Sequence, residues 1–178
     1  KNLLPHGPGL VLFTGGSVGG SSPCLQPCTH LDQSAAATAK WLQELGLEPQ
    51  DCVIFNPLPF HHVSGLMPWW RSRCWGSDHI FLSPQLMRDP FALEEFSRSI
   101  FKASRPVLTS LVPTQLQGLI AHPAGLRWLK NCAIIWVGGS ALSGELEEVA
   151  REAGLQLSPC YGSTETAAMV AAVKPSDF

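Results

Sequence analysis

Short apolar runs recur along the chain, and the stretches between them carry apolar residues every three or four positions. The runs 9–14, 52–57, 79–82, 107–111, 133–137, 155–159 and 168–173 read as strands. Several are continuously apolar, the pattern of a strand covered on both faces. Between them, residues 31–45 place Leu31, Ala35, Ala39, Leu42 and Leu45 on one side of a helix. Thr29 with Asp32 resembles a capping box, and Gly46 stands where a carboxyl cap belongs. Residues 90–103 form a second helix, capped by Asp89 and opened by Pro90, with Leu93, Phe96 and Ile100 as its buried stripe. A short helix follows Pro113 and stops before Pro123. Another spans 143–153, with Glu145, Glu147 and Glu148 in its early turns and Gly154 closing it. Residues 65–75 are helical too, although Pro68 obscures where that helix starts.

Strand–helix–strand repetition of this kind predicts an α/β fold: a mostly parallel, doubly wound sheet with helices on both faces. Such sheets bind ligands in the loops that follow the carboxyl ends of their strands. No internal linker stands out, so residues 1–178 are expected to form one domain.

Composition narrows the picture. With 45% hydrophobic and 15% charged residues the chain is expected to be globular and ordered. Twelve basic against fourteen acidic residues give a net charge of −2, which argues against a nucleic-acid partner. No apolar run has the length of a membrane span and no signal peptide opens the chain, so a cytoplasmic location is expected. Lys1 in place of a methionine reads as an internal fragment. The six scattered cysteines are read as free thiols in a reducing compartment. Cys24, Cys28 and His30 offer a metal site as the alternative, although a second ligand pair at zinc spacing is missing.

Four loops carry candidate chemistry. The first, Thr14-Gly15-Gly16-Ser17-Val18-Gly19-Gly20-Ser21-Ser22, follows an apolar strand. Its glycines let successive N–H groups face one anion, and its hydroxyls add donors, as a phosphate-gripping loop requires. It lacks the lysine of a Walker loop. The same residues also match G-x-S-x-G, with Ser17 as nucleophile and Asp78 and His122 following in the order of a serine hydrolase. Gly19, Gly20, Pro23 and Pro27 disfavour the helix which that elbow demands. The second loop, residues 57–65, sets His61 and His62 beside Ser64 and Gly65 at a strand end, where a histidine can line a carboxylate pocket. The third, Gly138-Gly139-Ser140-Ala141, has no side-chain bulk at its start, so a flat ring can lie against it. The fourth, Tyr161-Gly162-Ser163-Thr164-Glu165-Thr166, combines a stacking ring, hydroxyls for a phosphate and a carboxylate for magnesium.

Together the four loops resemble the adenylate-forming superfamily of acyl-CoA synthetases, luciferases and peptide-synthetase adenylation domains. Residues 161–165 match its Y-G-x-T-E motif. Residues 59–66, followed by Trp69, Trp70 and Arg71, look most like the o-succinylbenzoate–CoA ligases of menaquinone and phylloquinone biosynthesis. The resemblance implies an ATP- and Mg2+-dependent ligase that joins a small carboxylate to coenzyme A through an acyl-adenylate. Thr14, Gly15, Gly16, Ser17 and Gly19 would hold the β- and γ-phosphates. Thr164 would contact the α-phosphate and Glu165 would hold magnesium. Gly138, Gly139, Ser140, Tyr161 and Gly162 would frame the adenine, and His62 would line the acyl pocket with Ser64 and Gly65. Two departures qualify this. Ser21 and Ser22 replace the family's Pro-Lys, and the chain ends before the ribose-binding aspartate and the mobile lid with its catalytic lysine. The fragment alone is therefore expected to adenylate poorly, and apolar surface left by truncation is expected to favour self-association. A non-catalytic nucleotide-binding remnant is the remaining alternative to the ligase and the hydrolase.

Overall fold

The computed structural model describes residues 7–14 and 22–178. Its centre is a six-stranded sheet made of β3 (Val53–Asn56), β4 (Asp78–Phe81), β5 (Val107–Leu111), β6 (Ile134–Val137), β7 (Leu157–Ser163) and β8 (Ala168–Ala172), in the order β4-β3-β5-β6-β7-β8. The pairs from β4 to β7 are parallel and β7–β8 is antiparallel. The chain runs outward from β3 to β4, then returns across β3 to β5 and continues the other way. That reversal puts a topological switch point between β3 and β5, where α/β sheets open a crevice beyond the strand ends.

Side-chain alternation assigns the two faces. Val53 and Phe55, Val107 and Leu111, Ile135 and Val137, and Leu157 face one core, which also contains Leu93 of α4 (Pro90–Lys102), Leu116 and Leu119 of α5 (Pro113–Ile120), Trp128 and Leu129 of α6 (Pro123–Lys130), and Ala150 of α7 (Gly144–Glu152). Ile54, Leu108, Ile134 and Trp136 face the other, under Leu42 of α1 (Cys28–Glu44) and Trp75 of α2 (Val63–Trp75). Both faces are therefore covered, which is why β3 and β6 read as near-continuous apolar runs, while β5 sets Thr109 and Ser110 among its apolar residues. A short helix, α3 (Pro84–Arg88), precedes α4. Among the described residues no helix is long and apolar enough to cross a membrane.

Several local expectations need correction. Residues 23–27 are strand β2, paired antiparallel with β1 (Gly9–Phe13) in a separate two-stranded sheet. The run from Thr14 to Pro27 is thus a hairpin arm and not all loop. Its two prolines stand at the strand's ends, where a missing N–H costs least. The hairpin passes directly into α1: the Cys28 N–H bonds the Pro8 carbonyl at 2.9 Å, and Pro27 occupies the cap position without a side-chain bond. Thr29 and Asp32 therefore lie inside the helix and form no capping box. Asp32 instead accepts from the Trp70 indole at 2.9 Å, tying α1 to α2. In α4, Phe96 is 47% exposed while Ser97 is buried and accepts from the Trp128 indole at 2.8 Å. The stripe runs 93, 97, 100, and Phe96 sits at its margin. Helix α2 begins at Val63 and continues through Pro68, which has no N–H for the Ser64 carbonyl. Strand β7 runs on through Ser163, so Tyr161 and Gly162 belong to a strand rather than a loop. Elsewhere the readings hold: Asp89 caps α4 through the Ala92 N–H, and Gly46 and Gly154 take positive φ after their helices, while Ser143, read as the first helical residue, is instead the cap of α7.

Candidate functional site

At the carboxyl end of the sheet, β7 and β8 are joined by a tight turn carrying Thr164 and Glu165. Three features shape it. Gly162 lies against β8 so closely that a Cβ there would run into the Ala168 carbonyl. The Thr166 hydroxyl accepts from the Ser163 N–H at 2.9 Å and lies 3.1 Å from the Ser163 carbonyl and 2.8 Å from that of Ala168. Ala167 and Ala168 take positive φ, at 54° and 81°. Left-handed backbone costs a Cβ-bearing residue about 1–2 kcal/mol, so the surroundings must over-determine this turn. They do. The Ser34 hydroxyl of α1 donates to the Ala167 carbonyl at 2.9 Å, and Ala167 packs with Leu12, Leu31, Ala35, Val63, Leu66 and Met67.

The turn is also bonded to the hairpin. Gln26 of β2, 2% exposed, donates from Nε2 to the Thr164 carbonyl at 2.6 Å. Thr14 and Ser22 bracket the glycine loop: the Thr14 N–H donates to the Ser22 carbonyl at 2.9 Å and the Thr14 hydroxyl accepts the Ser22 N–H at 3.2 Å. Gly15, Gly16, Ser17 and Gly19 lie outside the described residues. The glycine loop thus springs from an antiparallel hairpin, not from a strand of the parallel sheet. The hairpin nonetheless meets the Thr164–Glu165 turn: Gln26, paired with Leu10 toward the open end, bonds Thr164, and Leu12 belongs to the same buried cluster as Ala167.

The third loop sits beside these. A Cβ on Gly138 would approach Cys160 Sγ of β7 to 2.9 Å, and Gly139 takes φ 87° with Val112, which follows β5, next to it. These two glycines let Cys160 and Val112 pack directly against the backbone just beyond β6. Ser140 is exposed. Tyr161, 74% exposed, has a free ring face nearby on β7. Glu165 is exposed and Thr164 half-buried, so both carboxylate and hydroxyl can reach a ligand without desolvating themselves first.

The second loop follows β3 at the switch point. His62 is the amino cap of α2, and its carbonyl accepts from the Gly65 and Leu66 N–H groups at 3.0 and 2.9 Å. His61 and His62 lie with ring centroids 4.2 Å apart, both exposed, and Ser64 is exposed beside them. Gly65 is buried because α2 presses on the loop: a Cβ there would collide with the Pro59 carbonyl. Sequence reasoning missed Gln26 and Ser34, which look like ordinary polar residues in the chain and acquire a task only across the fold. It also gave Arg71 no task. That side chain is 4% exposed, its guanidinium lies 5.3 Å from the Trp136 ring centre, and Nε and Nη2 have no partner among the described residues. Burial pulls its pKa down to about 10, an effect which nearby Cys160 opposes, so it stays cationic at neutral pH.

The hydrolase arrangement does not assemble from its other members. After β1 the chain re-emerges as β2, antiparallel to it, where an elbow requires a helix. Asp78 opens β4 at the sheet's amino end and pairs with Arg105, while His122 caps α6 by accepting the Ala124 N–H at 3.2 Å. Among the described residues no three His, Cys, Asp or Glu side chains gather as a metal site, so Cys24, Cys28 and His30 do not form one.

Comparison with known proteins bears on the family and the fold. The AMP-binding enzyme family matches residues 3–177. The chain is 27% identical over 165 residues to 2-succinylbenzoate–CoA ligase of Geobacillus kaustophilus, covering 93% of this chain and 31% of that protein. It is 29% identical over 177 residues to indoleacetate–CoA ligase of Aromatoleum aromaticum, covering 97% and 32%. Its fold superposes on Bacillus subtilis o-succinylbenzoate coenzyme A synthetase in complex with ATP and magnesium ion, with a TM-score of 0.71, 23% identity and coverage of 93% and 32%. The Escherichia coli MenE enzyme, solved with an analogue of OSB-AMS, gives 0.67, 28%, 93% and 32%. The chain spans about a third of the length of the curated relatives it matches. By the match over residues 3–177, this chain belongs to the AMP-binding enzyme family.

Proposed function

We propose that the chain is the nucleotide- and acyl-binding core of an ATP-dependent carboxylate–CoA ligase, acting on o-succinylbenzoate or a close aromatic dicarboxylate. One observation carries the reading: Gln26 bonds the turn bearing Thr164 and Glu165 to the hairpin from which the glycine loop springs. A phosphate-gripping loop and a lone accessible carboxylate then serve one ligand. That donor set suits magnesium, which favours one or two carboxylates plus substrate phosphate oxygens over an all-protein cage. Bound there by Glu165, the cation would neutralise phosphate charge.

The remaining roles follow from chemistry. The substrate carboxylate attacks the α-phosphate of ATP, pyrophosphate leaves, and the CoA thiol then displaces AMP. The first step needs charge stabilisation on phosphate oxygens more than a protein nucleophile. Thr14, the loop N–H groups and Thr164 supply hydrogen bonds to those oxygens. Gly138, Gly139, Ser140, Tyr161 and Gly162 offer adenine a flat backbone wall and a stacking ring. His62, Ser64 and Gly65 line the acyl side. Arg71 supports an anionic acyl group, because a buried guanidinium with unpaired N–H groups favours a carboxylate partner. ATP and CoA are cytoplasmic metabolites, and six free thiols suit a reducing compartment.

Magnesium-dependent ATP–pyrophosphate exchange by the full-length parent tests this directly. Glu165→Gln is expected to lower exchange with an aromatic dicarboxylate by about 100-fold or more, the scale of losing a charge-stabilising group. Unchanged exchange by that variant removes the magnesium role, and absence of exchange by the unaltered parent removes the ligase reading.

A further inference from the structure

Asn56, at the carboxyl end of β3, is fully buried, and its amide has three partners. Nδ2 donates to the Gly65 carbonyl at 2.8 Å, and Oδ1 accepts the Leu58 N–H at 3.1 Å. Nδ2 also faces His79 Nε2 of β4 at 3.1 Å. The first two bonds decide which way the amide points. Turned over, it would set acceptor against the Gly65 carbonyl and donor against the Leu58 N–H. With its orientation settled, Nδ2 has only hydrogen to offer His79. The Nε2 atom must therefore carry a lone pair, and the neutral ring keeps its proton on Nδ1. A protonated ring would oppose N–H to NH2.

The three bonds hold three elements around one loop. Leu58 opens the segment after β3, Gly65 lies in the first turn of α2, and Gly65 itself is in backbone contact with Pro59. Between Leu58 and Gly65 stand His61, His62 and Ser64. We propose that His79 is a positioning residue for this segment: its neutral Nδ1–H tautomer completes the Asn56 network that presents His62 and Ser64 to the substrate carboxylate, and protonation of His79 loosens it. The substrate half of this statement rests on the acyl-pocket reading above.

The surroundings support a neutral ring. Phe60 covers His79 at 5.8 Å between ring centres. The charged groups flanking it are Asp78 and Arg105 in the groove on one side and Arg73 with Asp78 on the other. Asp78 pairs with Arg105, so neither is left as an uncompensated charge beside the ring. Burial holds the His79 pKa below its ordinary value. As pH falls the unfolded chain takes up this proton first. The stability the network contributes is therefore full above the ordinary imidazole value and is lost as pH drops toward the folded one.

Long-range proton–nitrogen NMR of the isotope-labelled chain tests the proposal without substrate. The expected result is an unprotonated Nε2 at neutral pH, a midpoint below the ordinary range, and Leu58 and Gly65 amide shifts that share that midpoint. In His79→Gln, whose side-chain oxygen still accepts from Asn56, those amides should keep their neutral-pH positions and lose the component with that midpoint. In His79→Leu they should be displaced at every pH. An Nε2–H tautomer overturns the proposal, as do amides indifferent to His79 titration or a pH component that survives in His79→Gln. The tautomer is read on the unaltered chain, so the test does not depend on either variant folding. Pyrophosphate exchange by the parent judges the ligase reading separately.

Discussion

The parallel strands β3, β5 and β6 and the antiparallel pairs β1–β2 and β7–β8 are built on opposite terms. The first group is buried on both faces and held by hydrophobic contact, with Trp128 stacked on Phe55 at 5.8 Å beneath it. The second group is half open: Val11, Phe13, Leu25, Tyr161 and Val170 are all exposed. It is fixed by a few directed contacts, Gln26 to Thr164, Ser34 to Ala167, and Thr166 to its own turn. Candidate chemistry divides between the second group, which carries the glycine loop, Tyr161, Thr164 and Glu165, and the loops that leave β3 and β6, which carry His62, Ser64, Gly139 and Ser140. The lesson is a division of labour. A close-packed sheet supplies stability without addressing a ligand, and the accessible rim borrows that stability through single hydrogen bonds.

The contrast can be broken from either side. Trp128→Ala should have the largest effect, about 3–5 kcal/mol of unfolding free energy, seen as a large fall in the urea midpoint. It removes the stack on Phe55 and strands the Ser97 hydroxyl. Gly162→Ala should cost about 1–3 kcal/mol by the same measurement, because the Ala168 carbonyl occupies the space a methyl needs. Unlike the core change, it should also displace the amide signals of Thr164 and Glu165 in NMR spectra of the folded protein. Ala168→Gly should have the smallest effect and the opposite sign. Relief of left-handed strain, less the added unfolded-state entropy, leaves a gain of up to about 1 kcal/mol. A loss of stability there would show that the φ of 81° carries no strain worth relieving.

How much could be read beforehand divides along the same line. Ile134–Val137 was legible to within one residue, since a strand covered on both faces writes its burial as a continuous apolar run. Asp89, Gly46 and Gly154 were legible because caps are local chemistry. Strand β2 was not, because two prolines in five residues mimic a loop until their end positions are known. Nor was the extension of β7 through Tyr161 and Gly162, which depends on β8 folding back against it with a shift in register. Thr164, Glu165 and His62 stood out as residue types at strand ends. Gln26, Ser34, Asn56 and His79 did not, for each has its partner far away in sequence or across an element boundary.

The sequence alone determined the alternation of strand and helix, the faces that must be buried, and the residue chemistry at the ends of the strands, because periodicity, capping and glycine content act over a few neighbouring positions. Only the tertiary structure decided that the glycine loop hangs from a hairpin, that Gln26 joins it to the turn bearing Glu165, and that Asn56 dictates the tautomer of His79. Those are contacts between groups as many as 138 residues apart, and their geometry exists only once the core has drawn the elements together.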